Sequence, residues 1–171
     1  VRRVTITNCT IALNRSWIGG GGDSSGGIGT GGNKSSVLVQ NSIVWNNWYG
    51  NSGLPDEPEN VNEYTQIHGY EWQPTFSVSN CFLNAAGPTV YRGTNGNISG
   101  DPSLSNLANG DLRLGDDSPC VDRGNTFVDL DPLLPGLQQL PPFDFFGNPR
   151  IADGNGDGIV GVDIGAFETP R

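Results

Sequence analysis

Short apolar runs alternate with polar turn-formers along the whole chain. Three of these runs align without gaps around an asparagine: Val4-Thr-Ile-Thr-Asn8-Cys9-Thr-Ile11, Leu38-Val-Gln-Asn41-Ser42-Ile-Val44 and Phe76-Ser-Val-Ser-Asn80-Cys81-Phe-Leu83. Each reads as a strand with alternating apolar positions, then Asn, a small residue and a second short apolar strand. Val4 and Ile6 match Val37 and Val39, and match Phe76 and Val78 in turn. No window longer than about ten residues holds a helical apolar period, and Val, Ile and Thr dominate the runs, which is strand chemistry.

One such unit cannot bury its apolar face alone, so copies must stack. Parallel stacking sets like residues above like at about 4.8 Å. Asn suits the bend because it tolerates left-handed backbone angles and its amide can bond copies above and below. The pattern therefore predicts an internal ladder of Asn8, Asn41 and Asn80; three unrelated hairpin turns are the alternative. The expected fold is all-β: a right-handed parallel β-helix of a few coils, with long loops and an irregular C-terminal cap. Coils span 1–95, with inserted loops at 19–36 and 50–63, and the last coil with an Asp-rich cap spans 96–171. Nine of the 14 residues from Gly19 to Gly32 are Gly. That run lacks the Lys-Ser/Thr ending of a phosphate cradle and reads as loop.

Composition agrees with this picture. The 26 Gly and 12 Pro, scattered with Asn through 171 residues, disfavour long helices. The net charge is -9, with nine basic residues and no basic cluster, which argues against nucleic acid as a partner. No apolar run is long enough for a membrane span. The chain opens at Val1, so a mature, processed or excerpted protein is expected, with an open first strand that either continues a longer helix or docks on a neighbouring subunit. Cys9 and Cys81 sit at equivalent positions two coils apart, roughly 9–10 Å, too far for a disulfide. They are expected as buried thiols with Ser42 between them.

The coils resemble the parallel β-helix repeats of the pectin-lyase-like superfamily. Further on come Gly96-Asn-Ile-Ser-Gly-Asp101-Pro102, Gly110-Asp-Leu-Arg-Leu114, Ser118-Pro-Cys-Val-Asp122-Arg-Gly124, Asp144-Phe-Phe-Gly-Asn-Pro-Arg150 and Val162-Asp-Ile-Gly-Ala-Phe-Glu168. In that order they resemble the C-terminal part of bacterial choice-of-anchor-type surface proteins. The resemblance implies a secreted, extracellular or cell-surface location and no established activity. In the same frame, Arg150 and Glu168 are expected to pair, and Asp122, Asp129, Asp131 and Asp144 to cap turns or bind a second ion.

Eleven of the 13 Asp lie between Asp101 and Asp163. Among them, Asp153-Gly-Asn155-Gly-Asp157-Gly-Ile159 resembles an EF-hand or dockerin-type calcium loop, with Asp163 one place short of the usual closing Glu. Asp153, Asn155, Asp157, Ile159 and Asp163 are thus candidate ligands of a structural calcium; a turn satisfied by its own backbone is the alternative. No catalytic constellation is visible: the coil region holds Lys34, three Arg, the lone His68 and few Asp. Trp45, Trp48, Tyr49, Tyr70 and Trp72 form a sugar-stacking face or pack beneath the loops. The reading that follows is a non-catalytic extracellular structural or adhesive module, with itself or an extracellular polysaccharide as partner, and head-to-tail filaments as one outcome. The alternatives are the C-terminal fragment of a secreted polysaccharide lyase or hydrolase, and a carbohydrate-binding module.

Overall fold

A computed structural model of the chain describes residues 2–18, 26–31, 35–51, 66–70, 75–84, 91, 93–128 and 140–170. These are mostly strands and turns, with almost no helix. In chain order the strands are β1 (Arg2–Thr7), β2 (Thr10–Ala12), β3 (Arg15–Ile18), β4 (Ile28–Gly31), β5 (Ser35–Gln40), β6 (Ile43–Trp45) and β7 (Trp48–Asn51). They continue with β8 (Ile67–Tyr70), β9 (Thr75–Ser79), β10 (Phe82–Asn84), β11 (Ile98–Gly100), β12 (Leu104–Asn106) and β13 (Asp111–Leu114).

Apart from the antiparallel β12–β13 hairpin, every paired strand is parallel to its neighbour. One sheet runs β1-β5-β9 and a second runs β11-β10-β6-β2, with β3-β7 and β4-β8 as two-stranded sheets. The registers follow the sequence alignment: Val4 lies against Val37 and Val37 against Phe76, while Ile6 lies against Val39 and Val39 against Val78. A fourth row, starting at Ile98 beside Phe82, comes only 16 positions after the third. Of the expected loop at 19–36, Ile28–Gly31 and Ser35–Ser36 are strand, and Gly50–Asn51 end β7. Gly26 and Gly27 form a bend before β4, and the remaining residues of both expected loops fall outside the described residues.

Between strands the chain turns through left-handed residues. Asn8, Asn41 and Asn80 have φ of 49°, 45° and 50°, and Gly96 takes the same place in the fourth row at 75°. A second bend repeats as well, with Leu13 at φ 59° and Asn46 at 52°. An L-residue there costs roughly 1–2 kcal/mol, least for Asn and nothing for Gly.

Alternation across the second sheet gives it two buried faces. Val44 and Leu83 pack with Val37, Val39, Val78 and Cys81 of the first core. Ile43 and Phe82 point the other way and pack with Cys120 and Ile164. The C-terminal segment, expected as an irregular cap, therefore lies along the outer side of this sheet. It reaches from Ile98 in the fourth row to Thr10 in the first, whose Oγ1 accepts the Ala166 N–H at 3.1 Å. Close approach fixes Gly165 here: φ is 122°, and a Cβ would stand 3.0 Å from Ile43 Cδ1 and Thr10 Oγ1.

Candidate functional site

The residues of the C-terminal signature meet in a buried carboxylate network that ties this segment to itself. Asp144 Oδ1 accepts the N–H groups of Phe146 and Asn148, both at 2.8 Å, and its Oδ2 accepts Asn148 Nδ2 and the Glu168 N–H, both at 3.0 Å. Glu168 Oε1 accepts Arg150 Nη1 at 2.9 Å, and its Oε2 accepts the Asp163 N–H at 2.9 Å. Asp163 in turn accepts the Asp122 N–H at 2.8 Å and the Thr169 N–H at 2.7 Å. Asp122 accepts the N–H groups of Gly154 and Asn155, linking the network to the glycine-rich loop. Arg150 and Glu168 thus pair as the sequence resemblance implies.

Burial acts on all three acids, with different outcomes. It pushes the Glu168 carboxyl up to about 7, only partly offset by the Asp163 N–H and Arg150. Burial likewise raises Asp163, against the Asp122 and Thr169 donors. Asp144 suffers the same desolvation, but its four donors together outweigh it and hold the carboxyl below its ordinary range.

In the loop itself, Asp153 Oδ1 accepts the N–H groups of Gly156 and Asp157, and its Oδ2 accepts that of Gly158 at 2.9 Å. Asn155 Oδ1 accepts the Asp157 N–H and Asp157 Oδ1 that of Ile159, both at 2.8 Å. Asp153, Asn155 and Asp157 are therefore brought onto one curl, where their side-chain oxygens accept the loop's own N–H groups. Asp163 lies apart from them, 1% exposed, with both oxygens engaged in the carboxylate network. The Ile159 side chain is 70% exposed at the loop's tip. Among the described residues no three His, Cys, Asp or Glu side chains are grouped so as to hold a metal ion. Asp129 and Asp131 lie outside the described residues.

The asparagines of the first bend stack through their backbones but not through their amides. The Asn8 N–H donates to Gln40 O and the Asn41 N–H to Ser79 O. The Asn41 side chain pairs with Asn125 instead, donating to its carbonyl and accepting its N–H, each at 2.8 Å. Both polar atoms of the Asn8 side chain are buried without a partner. An amide ladder does exist one bend later: Asn47 Oδ1 accepts from the N–H and Nδ2 of Asn14, and its own Nδ2 donates to Ile11 O and Gln66 Oε1. The sequence carries a signal for it, since Asn14 and Asn47 each fall six places after the first-bend asparagine.

The small residues after those asparagines form the expected column. Cys9 Sγ, Ser42 Oγ and Cys81 Sγ each donate to the carbonyl two residues earlier. Asn97 completes the column by accepting the Cys81 N–H at 2.9 Å. The three cysteines are free; Cys81 and Cys120 are buried and Cys9 is half-buried. Burial pushes both Cys81 and Cys120 up to about 12.

The candidate sugar-stacking aromatics are distributed over several sheets. Trp45 packs on the outer face of the second sheet and donates from Nε1 to Gly100 O at 3.1 Å. Trp48 lies in β7 beneath the Arg15 guanidinium, 3.5 Å from its ring centre. Tyr49 is on β7 and Tyr70 on β8. Trp72 lies outside the described residues. An aromatic group the sequence reading missed stands on the Asp144–Gly147 turn, where Phe145 is 85% exposed and Phe146 stacks on Phe167. Comparison with protein-family models, curated proteins and solved structures gave no match.

Proposed function

We propose that this chain is a non-catalytic, extracellular structural or adhesive module built as a right-handed parallel β-helix, with its C-terminal side-piece tied by calcium. The observation that carries the reading is the order of the strands. Successive rows visit the sheets in the same sequence, β1-β2-β3-β4 and then β5-β6-β7-β8, and all pair in parallel. Chemistry points the same way, because Asp122, Asp144, Asp163 and Glu168 spend their oxygens on backbone N–H groups and Arg150. Groups so committed organise a segment; they are not held ready for a substrate.

Two measurements test this. Acidic polysaccharides incubated with the protein, with and without calcium, should keep their chain length; depolymerisation would overturn the non-catalytic reading. Calcium should raise the melting temperature and chelation should lower it. At a free concentration 100 times its Kd, calcium adds about 2.7 kcal/mol. An unchanged melt would remove calcium from the proposal and leave the scaffold.

Glycan binding is favoured by one feature, the exposed Phe145–Phe146 turn, since aromatic faces suit the apolar faces of sugar rings. Retardation in polysaccharide-containing gels that disappears in Phe145→Ala would establish it.

A further inference from the structure

Five steps of the chain set an Asn or Asp directly before a Gly: Asn95-Gly96, Asn109-Gly110, Asp153-Gly154, Asn155-Gly156 and Asp157-Gly158. Such a step can close on itself, because the glycine nitrogen, with no Cβ beside it, reaches the carbonyl carbon of the preceding side chain. The nitrogen attacks only once its proton is free to leave, so a hydrogen bond donated by the glycine N–H protects the step. Four of the five are protected in this way. Gly110 donates to Leu107 O at 3.0 Å, Gly154 to Asp122 Oδ1 at 3.2 Å, Gly156 to Asp153 Oδ1 at 2.6 Å and Gly158 to Asp153 Oδ2 at 2.9 Å. The Gly96 N–H has no acceptor among the described residues.

This one open step lies on the bend that leads into the fourth row. Residues 93–96 are all exposed, and Gly93, Asn95 and Gly96 are left-handed, with φ of 66°, 50° and 75°. Either side of the step is anchored. Asn95 O accepts the Asn80 N–H at 3.0 Å. Asn97, 3% exposed, accepts the Cys81 N–H and donates to Val78 O and Tyr91 O, each at 2.9 Å. The bond from Asn80 also draws electron density out of the Asn95–Gly96 peptide, which makes its N–H more acidic. The Asn95 side chain has no hydrogen-bond partner among the described residues, so its amide is free to swing towards the Gly96 nitrogen.

We infer that Asn95-Gly96 is a site of self-modification, at which the folded chain converts Asn95 to isoaspartate and aspartate with water as the other reactant. The Gly96 nitrogen gives its proton to solvent and bonds to Asn95 Cγ, the Cγ–Nδ2 bond breaks, and ammonia leaves. Water then opens the cyclic imide. Attack at the main-chain carbonyl yields isoaspartate, and attack at Cγ yields aspartate. Both products add a negative charge. Isoaspartate also routes the main chain through Cβ and Cγ and lengthens it by a backbone atom, so the carbonyl that holds the Asn80 N–H is displaced. Gly96 already packs against the Asn80 side chain, where a Cβ would stand 2.5 Å from Nδ2, and so has little room to absorb the change. The fourth row is therefore the part of the stack that the modification loosens.

Incubating the folded chain in mildly alkaline buffer and mapping its peptides by mass spectrometry tests this, with carboxyl methylation by an isoaspartyl methyltransferase reporting isoaspartate. Asn95 should react about tenfold faster than Asn109 or Asn155, the rate factor of one hydrogen bond that must break before attack. In guanidinium chloride the three asparagines should react alike, since each precedes a glycine and none is then protected. Comparable rates in the folded chain would overturn the inference. So would a lead for Asn95 that survives unfolding, because local sequence and not the fold would then select it. Asn95→Gly keeps the left-handed bend and removes the reacting amide. Its melting temperature should hold through the incubation, while that of the wild-type chain falls in step with the modified fraction. Isoaspartate at Asn95 with an unmoved melt would overturn the loosening of the fourth row.

Discussion

Asn8 and Asn41 occupy the same bend in adjacent rows, with the same left-handed backbone, yet only Asn41 has bonded its amide. Replacing each by glycine therefore isolates what that amide contributes. Glycine accepts φ near 45° without strain, as Gly96 does at the equivalent place in the fourth row, so the folded backbone is preserved in both variants. Both variants also share the cost of a freer unfolded chain, about 0.5–1 kcal/mol. Asn41→Gly additionally loses two bonds of 2.8 Å to Asn125 at a fully buried position. At about 1 kcal/mol net for each, with partner groups left unmatched, the total loss comes to about 3 kcal/mol.

Asn8→Gly loses no bond and removes two buried, unpartnered atoms, so its cost should stay below about 1 kcal/mol. For a chain of this length the difference corresponds to a melting shift of about 4–8 °C between the two variants. Urea unfolding followed by circular dichroism would measure it, with equal m-values showing that only stability has moved. Equal losses in the two variants would refute the reasoning, because they would place the value of the bend in its backbone and leave the Asn41–Asn125 contact without worth.

At the second bend, Leu13 holds a left-handed conformation that Asn46 holds one row below, and its side chain is 37% exposed. Leu13→Asn should stabilise by about 1 kcal/mol in urea unfolding. The column Cys9–Ser42–Cys81 predicts that Ser42→Cys, under mild oxidation, gains an intramolecular disulfide with an adjacent row, visible as one fewer titratable thiol pair; the wild-type chain should keep three free thiols. Glu168, raised from 4.5 to about 7, binds a proton in the folded state before it does so unfolded. Its stabilising contribution is complete below about pH 4.5 and is lost as pH rises through about 7, on the order of 3 kcal/mol. Melting temperatures taken across that window should fall in the wild-type chain and lose most of that slope in Glu168→Gln.

Legibility followed periodicity. The Val4–Val37–Phe76 register, the left-handed asparagines and the Cys9–Ser42–Cys81 column were readable because one-to-one alignment of repeats is itself a statement of which residues stack. The fourth row was harder to read, since Gly96 replaces the bend asparagine and only 16 positions separate Phe82 from Ile98. The amide ladder was assigned to the wrong bend. At the first bend Asn41 turns to Asn125, 84 residues away, and no local pattern announces that partner. In the C-terminal segment, spacing alone made Asp163 look like a late ligand of the loop. Tertiary contacts commit it to Asp122 and Thr169.

The position of that segment follows from the strands it covers. Ile43, Phe82 and Ile98 form a second apolar stripe on the outside of the β2–β6–β10–β11 sheet, and a sheet with two apolar faces needs cover on both. Strands could have covered it only by leaving an unpaired edge. The chain instead uses irregular backbone, whose N–H groups must then find acceptors elsewhere, and the carboxylates serve that need at one to three N–H bonds each. The acidity of residues 101–168 is thereby explained in part without an ion or a substrate: Asp122, Asp144, Asp163 and Glu168 replace the ladder bonds that a third layer of strands would have made.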